Sequence, residues 1–369
     1  MKVCVLSSVH PIFDVRIFHK EVKSLLKNGY EVSYIIQHEK DENIDGVRVI
    51  ALPRPKDRLN RITKLTWKCY RMAIKEDADV YHFHDPELIP IGILLRLKGK
   101  KVIYDIHENV AGQILNKKWL PFRKLVSFLY RMFELTVCHL FYIILAEDSY
   151  NKLYKNFHKK ITVKNFPDIN LFPIPKKPFS KDYIVYLGSV SEVRGIFIIL
   201  EALAILKERN IHIQFKCIGN YTEECFKKIE QQCERLGIQE LVQFYGRLNA
   251  PDAYKIVEGA KLGLAVLKPI PNYMESYPTK IFEYMALKVP VITSNFPLYK
   301  KVINESRAGM TVEPNNVTEV ASAIEQIVLN PQEAIQMGEN GRNSVEEKYN
   351  WELESSKLID LYKKIETTL

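Results

Sequence analysis

Residues 272–292 read NYMESYPTKIFEYMALKVPVI and contain a turn, a helix and a strand in direct succession. Pro278 suits the first turn of a helix but not its interior, so the sequence predicts a helix over Thr279–Lys288 with Ser276 or Tyr277 as its N-cap. The apolar, β-branched run Val289–Thr293 then predicts a buried strand. Such helix–strand succession is the repeating unit of α/β folds.

The same alternation extends over nearly the whole chain and predicts two Rossmann-like domains. Each would hold a parallel sheet with helices on both faces, and ligands of such sheets bind beyond the carboxyl ends of the strands, here in an interdomain cleft. The predicted strands are Lys2–Leu6, Glu31–Gln37, Val47–Ala51, Ala78–Phe83, Lys101–Tyr104, Phe141–Ala146, Tyr183–Leu187, His212–Ile218, Leu241–Tyr245, Leu262–Val266, Val289–Thr293 and Met310–Val312.

Domain boundaries follow from composition. Residues 1–165 form the first predicted domain, a proline-rich linker covers 166–182, and the second domain covers 183–350. An amphipathic helix over 351–369 is expected to pack back on the first domain. The chain lacks both GxGxxG after its first strand and GxxxxGK[ST] anywhere, so the sequence does not support a dinucleotide-binding or P-loop function.

Composition indicates a globular cytoplasmic protein of 369 residues. The six cysteines form no CxxC pair and are expected to be reduced thiols, and the N-terminus does not resemble a signal peptide. Residues 1–165 hold 29 Lys and Arg against 18 Asp and Glu, a net charge of +11, whereas the remainder carries −2. The basic half is therefore expected to meet an anionic partner.

The quoted stretch also suggests a ligand. Backbone N–H groups at the helix start, at Thr279, Lys280 and Ile281, can bind a phosphate, and the Lys280 side chain adds a positive charge. Glu275 and Glu283 could each accept hydrogen bonds from hydroxyl groups. Phosphates between two hydroxyl-bearing ends describe a sugar nucleotide. The alternative is that both glutamates are ordinary solvated surface residues.

The Glu-x7-Glu pattern within ESYPTKIFEYMALKVPVI resembles the signature of family-4 retaining glycosyltransferases, which have the GT-B fold. YLGSVSEVRG at 186–195, FKCIGNY at 215–221, VQFYGRL at 242–248 and YNW at 349–351 extend the resemblance. In the first half, DVYHFHDPE at 79–87 and VIYDIHENV at 102–110 are similar to paired strands of the acceptor domain.

The resemblance implies roles for individual residues. Glu275 would hold the transferring sugar, Glu283 the nucleotide ribose, and the Thr279–Ile281 amides the diphosphate. Gly188 would let the backbone approach the phosphates. Arg194, before Gly195, stands where the family usually has a lysine that neutralises the leaving diphosphate. Ser189 stands where the family usually has the partner arginine, so Arg194 and Lys280 would carry more of the phosphate charge.

Polar residues gather at predicted strand ends of the first half. His82 and His84 alternate along one strand and Asp105 and His107 along its neighbour, so His84, Asp85, Asp105, His107 and Glu108 are expected at the cleft. The resemblance places His107 beside the reacting sugar. A metal site and a purely structural histidine are the alternatives; the ligand spacing matches no metal motif, so no metal is predicted.

Two further polar segments of the first half are interpreted differently, one as functional and one as structural. The loop SSVHPIFDVR offers His10, Asp14 and Arg16, which are predicted to shape the acceptor pocket. Asp77-Ala-Asp79 has the DxD form of a metal motif, but it is better explained as a polar connector between a helix and a strand.

Basic residues mixed with aromatic ones favour an anionic membrane surface as a partner. A solvated helix face is the alternative, and a nucleic-acid partner is not predicted because the neighbouring apolar residues suit lipid better. The basic residues concerned are Arg61, Lys64, Lys68, Arg71 and Lys75, spaced by three and four on one helix, and Lys117, Lys118, Arg123 and Lys124 near Trp119, Phe122, Phe128 and Tyr130.

The sequence thus predicts a metal-independent retaining glycosyltransferase of hexosyltransferase type, without a cofactor. It would move a sugar from a nucleotide diphosphate sugar to a hydroxyl of a lipid-linked or polysaccharide precursor, as in lipopolysaccharide synthesis, at the inner face of the cell membrane. A sugar-nucleotide epimerase of the same fold is the alternative. A sugar-binding protein without chemistry is a third candidate, but such proteins are normally exported.

Overall fold

The computed structural model describes residues 1–117, 119–175 and 178–368. It divides into two compact units. The first unit comprises Met1–Asn165 together with the C-terminal segment that starts at Trp351, and the second comprises Phe166–Asn350. Both are α/β structures built on parallel sheets, which confirms the predicted fold class.

Each unit has one sheet among its described residues. In the first unit the strand order is β3-β4-β2-β1-β5-β6-β7-β8, and in the second it is β11-β10-β9-β12-β13-β14. All pairs are parallel except β3 with β4. The strands are β1 Lys2–Leu6, β2 Glu31–Gln37, β3 Glu42–Ile44, β4 Val47–Leu52, β5 Val80–Phe83, β6 Lys101–Ile106, β7 Tyr142–Leu145, β8 Lys160–Thr162, β9 Tyr183–Leu187, β10 Gln214–Ile218, β11 Val242–Phe244, β12 Gly263–Ala265, β13 Val291–Ser294 and β14 Gly309–Val312.

Helices fill most of the connections between parallel strands, since such connections must return to the opposite end of the sheet. They are α1 Lys23–Lys27, α2 Arg58–Asn60, α3 Thr66–Glu76, α4 Ile89–Leu97, α5 Val110–Asn116, α6 Arg123–Cys138, α7 Ile196–Glu208, α8 Glu223–Leu236, α9 Ala250–Val257, α10 Pro271–Met274, α11 Thr279–Ala286, α12 Pro297–Ser306, α13 Val317–Leu329, α14 Pro331–Glu347 and α15 Trp351–Glu366. Two π-helical turns precede helices, at Ile17–Val22 and Arg61–Leu65. Short 3₁₀ turns occur at Pro86–Leu88, Asp148–Lys152, Ile169–Leu171, Glu192–Arg194 and Gln239–Leu241. In the part of the chain described here, no helix is both long and apolar enough to traverse a bilayer.

Successive residues of β1 point into different cores of the first unit. Cys4 and Leu6 join the core beneath α3, α4 and α6, whereas Val3 and Val5 join the core beneath α1 and α15. Helix α15 belongs to this second core through Trp351, Leu358, Ile359, Leu361, Tyr362 and Ile365. The C-terminal helix is therefore an integral layer of the first unit.

Most strand predictions agree with the structure within two residues, but two strands were missed. Strand β3 pairs with β4 across the turn Asp45-Gly46, where both residues have positive φ (51° and 84°). Asp-Gly is a favoured type I′ hairpin sequence, so a signal was present. Strand β8 is only three residues long and lies at the sheet edge, and nothing in its pattern distinguishes it from a loop.

We expect Leu358→Ala to lower the free energy of unfolding by about 2–5 kcal/mol, because Leu358 is fully buried between α15 and the sheet. Leu353→Ala in the same helix removes the same atoms from a side chain that is 44% exposed, and should cost less than about 1 kcal/mol. Urea unfolding followed by circular dichroism measures both. Equal effects would mean that α15 is not part of the core of the first unit.

Candidate functional site

The carboxyl ends of β1, β5 and β6 lie side by side in the first unit and bring their following residues together. Asp85, after β5, is buried and accepts hydrogen bonds from Ser7 Oγ (2.9 Å) and the Ser8 N–H (2.6 Å), after β1. His107, after β6, lies 3.1 Å from Asp105 and 3.2 Å from His84. The predicted cluster therefore exists, although most of it is interior.

Arg16 is the central residue of this cluster. Its guanidinium donates to both Asp105 oxygens (3.1 and 2.9 Å) and to the Val163 carbonyl (2.9 Å), and it lies 2.9 Å from Glu21 Oε1. Arg16 Nε also donates to His107 Nε2 at 3.1 Å. The sequence placed Arg16 on an acceptor-binding loop. In the structure the chain turns inward after that loop, so Arg16 is buried and engaged by protein groups.

Burial and neighbouring charges set the protonation of the cluster. Burial alone would raise the pKa of Asp105, but the Arg16 guanidinium and the His107 ring hold it well below its usual range. Burial and the Asp105 charge raise the pKa of Glu21 well above its ordinary value. Burial lowers the pKa of His82 to about 4 and that of His84 well below its ordinary value, so both rings are neutral near pH 7.

The other predicted acceptor-side residues lie nearer the surface. His10 is only partly buried; its Nδ1 lies 3.3 Å from Asp14 and its Nε2 3.4 Å from Asp85. Burial acts against ionisation of Asp14, but its hydrogen bonds to His10 and the Ile17 N–H lower the pKa of Asp14 to about 2. Glu108 is exposed and accepts a hydrogen bond from Gln113, so it points away from the buried cluster.

In the second unit, Gly188 and Gly195 follow β9 and both have positive φ (117° and 81°). A Cβ on Gly188 would lie 3.5 Å from Lys280 Nζ and 3.9 Å from Arg194 Nη1, so this backbone borders two cations. A Cβ on Gly195 would lie 1.8 Å from the Val266 carbonyl oxygen. Gly195 is therefore required for packing at the start of α7. Ser189 donates to Asn220 Oδ1 at 2.9 Å.

Lys280 is the unusual group of this unit. Its side chain is buried, and its Nζ has no hydrogen-bond partner among the described residues. The Nζ lies 3.6 Å from the centre of the Tyr186 ring, a cation–π contact. Burial, and then the nearby Arg194 charge, lower the pKa of Lys280 well below its ordinary value. A buried amine without a hydrogen-bonding partner among the described residues, beside an arginine and a glycine backbone, is a candidate anion site.

The start of α11 differs slightly from the prediction. Pro278 is the N-cap, with φ −75° and ψ 123°, whereas Ser276 donates its hydroxyl to the Asn272 carbonyl (2.7 Å) and caps nothing. The N-cap prediction was wrong by one or two residues because proline needs no side-chain cap to begin a helix. The Ile281 N–H already donates to the Pro278 carbonyl (3.2 Å), which leaves the Thr279 and Lys280 amides as the stronger anion donors.

The two glutamates of the quoted stretch occupy different surroundings. Glu275 is exposed and follows the short helix α10, whereas Glu283 is half-buried in α11. The Tyr254 hydroxyl donates to Glu283 Oε1 at 3.5 Å. Burial and the Glu283 charge raise the pKa of Tyr254, so Tyr254 stays protonated. Glu283 is thus held by α9 in a defined orientation.

Sequence reasoning missed three participants. Glu21 reaches the His84 and Asp105 cluster from the π-helical turn that Arg16 precedes, and Tyr362 of α15 lies 2.9 Å from His82 Nδ1. Neither contact has a local sequence signal, because both depend on how distant segments pack. Tyr186 lies in the quoted motif YLGSVSEVRG, but its role beneath Lys280 requires the register of β9 against α11.

Two α/β units, each built on a sheet of mainly parallel strands, with a candidate anion site at the edge of one sheet, define the class of protein at the level of the fold. Family comparison makes the class specific. Residues 169–344 match the family model described as "Glycosyl transferases group 1", and residues 15–146 match that described as "Glycosyltransferase Family 4". The chain therefore belongs to the family-4, group 1 glycosyltransferases.

Individual proteins agree with this assignment. An uncharacterised glycosyltransferase of Haemophilus influenzae is 22% identical over 335 residues, which are 86% of this chain and 87% of that protein. Sucrose-phosphate synthase from Thermosynechococcus elongatus superposes with a TM-score of 0.80 at 17% identity over the full length of both chains. HepE from Anabaena, solved with UDP-glucose, superposes with a TM-score of 0.76 at 14% identity, over 99% of this chain and all of that one. WaaG, a glycosyltransferase involved in lipopolysaccharide biosynthesis, superposes with a TM-score of 0.72 at 17% identity, over 97% of this chain and 98% of that one. These structural likenesses establish the GT-B fold.

We expect Lys280→Met to weaken pyrophosphate binding by about 10- to 100-fold, because it removes a charge-assisted hydrogen bond of about 1.5–3 kcal/mol. The variant should keep or gain thermal stability, since it also removes a buried, unpaired amine. Lys228→Met, in an exposed pair with Glu224, serves as the matched control and should bind like the wild type. Isothermal titration calorimetry measures the affinity. Unchanged affinity in Lys280→Met would place the anion elsewhere.

Proposed function

We propose that this glycosyltransferase transfers a hexose, with retention of anomeric configuration and without a catalytic metal, from a nucleotide diphosphate sugar to a hydroxyl of a lipid-linked or polysaccharide precursor. The observation that carries the proposal is the buried Lys280 amine, which lies beside Gly188 and Arg194 and has no hydrogen-bonding partner in the part of the chain that the structure describes. A diphosphate supplies the anionic charge that this group lacks.

The donor is proposed to lie along the start of α11. The Thr279 and Lys280 amides, the Lys280 amine and the Arg194 guanidinium would bind the two phosphates, which leave with the nucleotide. Two protein cations at this place offset the charge of the leaving diphosphate, and this supports a mechanism that needs no metal. Glu283, already oriented by Tyr254, would accept hydrogen bonds from the ribose hydroxyls.

Glu275 is proposed to accept hydrogen bonds from hydroxyls of the transferring sugar. Charge develops on that sugar in the transition state, so a carboxylate there stabilises the transition state more than the ground state. His107 is proposed as a second group at the reacting sugar. Its Nε2 faces Arg16 and Asp105, so the other side of the ring is the one available to substrate. The acceptor proton would pass to the leaving phosphate.

The two glutamates are expected to separate binding from turnover. Glu283→Ala should weaken binding of the nucleotide diphosphate by on the order of 2 kcal/mol, because it removes the ribose contact. Glu275→Ala should leave that affinity unchanged and lower kcat by 10-fold or more. Glu339 lies far along the sequence from α11, in a partly buried pair with Lys288, and Glu339→Ala is the control.

The first measurement is a thermal-shift screen of nucleoside diphosphates and their sugars, with and without EDTA. Stabilisation by one base series that EDTA does not change is the expected result. It identifies the donor for the kinetic comparison of the variants. If no nucleotide stabilises the wild type, the proposed donor site is wrong. If Glu275→Ala turns over like the wild type, its catalytic role is wrong.

Donor hydrolysis without an acceptor would favour the alternative, a sugar-nucleotide epimerase of the same fold. The family assignment does not favour it. Product analysis by NMR distinguishes the two, because an epimerase releases a rearranged sugar in the absence of any acceptor, whereas the transferase requires the acceptor for sustained turnover.

We also propose that the first unit docks on an anionic lipid surface through α6. This helix is inverted: its buried residues include the polar Ser127 and Glu134, while its outer side is apolar. The exposed apolar residues form what we call the α6 patch: Trp119, Phe122, Leu125, Phe128, Leu129, Met132 and Phe133. Five of these residues lie on α6, and Trp119 and Phe122 lie in the segment before it. Contiguous exposed apolar patches mark interaction sites in many proteins, and this supports a covering partner.

Charge favours lipid as that partner. Lys117, Arg123 and Lys124 border the α6 patch, and each cation near an anionic bilayer contributes about 1 kcal/mol; Lys118 lies outside the described residues. On the same face of the sheet, helix α3 and the preceding π-helical turn carry the predicted basic stripe. There Lys64, Lys68, Arg71 and Lys75 are exposed, while Arg61 pairs with Glu87 at 2.9 Å.

We expect the wild type to co-sediment with vesicles of phosphatidylcholine and 30% phosphatidylglycerol, and to release in 0.5 M salt. The double variant Phe128→Ser/Met132→Ser, which breaks the centre of the α6 patch, should bind at least 10-fold more weakly. Leu329→Ser, an exposed apolar residue of α13, is the control. Failure of the wild type to bind would refute the proposal. A wild-type dimer that the double variant dissociates would show that the α6 patch binds a second copy instead.

A further inference from the structure

Four side chains of the first unit converge on one buried point. Glu21 comes from the π-helical turn, His82 and His84 from the end of β5, and Asp105 from β6. One possible ligand atom from each of the four lies within 4.8 Å of all the others, and every one of these residues is at most 3% exposed. The point lies beneath His107, which is itself partly exposed.

Several atoms at this point lack hydrogen-bond partners. Among the described residues, Glu21 Oε2 and the Nε2 atoms of His82 and His84 have none, while Glu21 Oε1 lies 2.9 Å from Arg16 Nε in an ion pair. Buried polar atoms are satisfied in most native structures, so three such atoms in one place require an explanation. They come from two segments, the π-helical turn and the end of β5.

The two imidazoles are oriented as metal ligands usually are. His82 Nδ1 lies 2.9 Å from the Tyr362 hydroxyl, and His84 Nδ1 lies 3.2 Å from His107 Nε2. Each ring is therefore fixed through its Nδ1, and each Nε2 has a carboxylate oxygen as a neighbour: Asp105 Oδ2 for His82 and Glu21 Oε2 for His84. A ligating histidine normally uses its other nitrogen for such a second contact, which sets the ring's orientation.

Charge at this point also favours a cation. Two carboxylates, of Glu21 and Asp105, face one guanidinium, that of Arg16, at 2.9 Å from each. One guanidinium balances only one ionised carboxylate, so the second carboxylate must either keep its proton or pair with a second cation, because an uncompensated interior charge is costly. Asp105 keeps its orientation through two hydrogen bonds from Arg16 while its Oδ2 still faces the histidines.

We propose that Glu21, His82, His84 and Asp105 bind a divalent transition-metal ion of the zinc type in a closed structural site. Two imidazole nitrogens and two carboxylate oxygens suit zinc, which prefers four ligands in a tetrahedron. Glu21 Oε2 lies 3.7 Å from His84 Nε2, and Asp105 Oδ2 lies 3.9 Å from His82 Nε2. Ligands about 2 Å from zinc are roughly 3.3 Å apart, and the four ligand atoms here lie within 4.8 Å of one another, so the side chains must move inward by up to roughly 1 Å.

This site differs from the transfer chemistry proposed above. All four ligands are interior, so the ion has no coordination position for a substrate. Its effect would be to hold together the π-helical turn, β5 and β6, and through Asp105 and His84 to fix the ring of His107. Because the ion is interior and takes no part in the transfer reaction, turnover can resist brief EDTA treatment even when the ion is bound.

The test uses the full chain with a tag that does not bind metals, purified without chelators from cells grown with zinc. Inductively coupled plasma mass spectrometry should find about one transition-metal ion per chain. Glu21→Gln and His82→Gln should lower that content at least 10-fold. His38→Gln, which alters a surface His38–Glu42 pair of similar chemistry, is the matched control and should keep the full content.

A second measurement on the wild type covers the case in which those variants fail to fold. X-ray absorption at the zinc edge should show two imidazole and two oxygen ligands. Prolonged treatment with 1,10-phenanthroline should lower the melting temperature by several degrees, and added zinc should restore it. Metal content below a tenth of an ion per chain after equilibration with zinc, or content unchanged by Glu21→Gln, would overturn the proposal. A proton shared between Glu21 and Asp105 would then satisfy the cluster.

Discussion

Parallel strand pairing is the constraint from which the candidate sites of both units follow. It forces every connection to cross the sheet, so each strand delivers its next few residues to the same edge. In the first unit, β1, β5 and β6 are adjacent, and Asp85 and His107 lie just beyond two of their ends. In the second unit, Gly188 follows β9 at the corresponding edge. Functional groups thus come from segments that are distant in sequence.

The sheets of the two units differ in how a buried basic side chain at their carboxyl edge is bound. In the first unit, the Arg16 guanidinium is bound by Asp105, Glu21 and the Val163 carbonyl, so it serves the interior of the protein. In the second unit, Lys280 is equally buried and is left against the Tyr186 ring without a hydrogen-bond acceptor among the described residues. A guanidinium whose hydrogen bonds are made by the protein helps hold a structure in one arrangement, whereas a buried amine without an acceptor is stabilised as a cation only when an anion arrives.

Elements of the fold could be predicted where the sequence signal is local, and could not where it depends on contacts between distant segments. The parallel strands are apolar and β-branched, so β1, β2 and β9 were predicted with their observed bounds. The hairpin at Asp45-Gly46 has a local signal in its Asp-Gly turn, although the sequence analysis did not predict it. Glu21 had none, because its place beside Asp105 depends on an inward turn after Asp14, whose carboxylate accepts from the Arg16 and Ile17 amides.

The site residues divide in the same way, into those with a local sequence signal and those placed by long-range packing. The glutamates of the quoted stretch and the glycine after β9 were identified by local spacing and by resemblance. The burial of Lys280 was not, because it requires α11 to pack on β9 and β12. Arg16 was misplaced for the converse reason: a loop rich in polar residues is predicted to lie at the surface, although its arginine pairs with the interior carboxylates of Glu21 and Asp105.

Helix α6 shows why burial cannot be read from amphipathicity alone. Its sequence is amphipathic, and a helix of that kind normally buries its apolar side. Here Glu134 occupies the inner side, where Arg131 at 3.0 Å balances its charge and Tyr130 donates to it at 3.1 Å. Once that polar triad is fixed inside, the apolar residues have no position left except outward. The α6 patch is therefore a consequence of the inner hydrogen bonds, and any partner that covers it would act on a surface that the first unit already holds rigid.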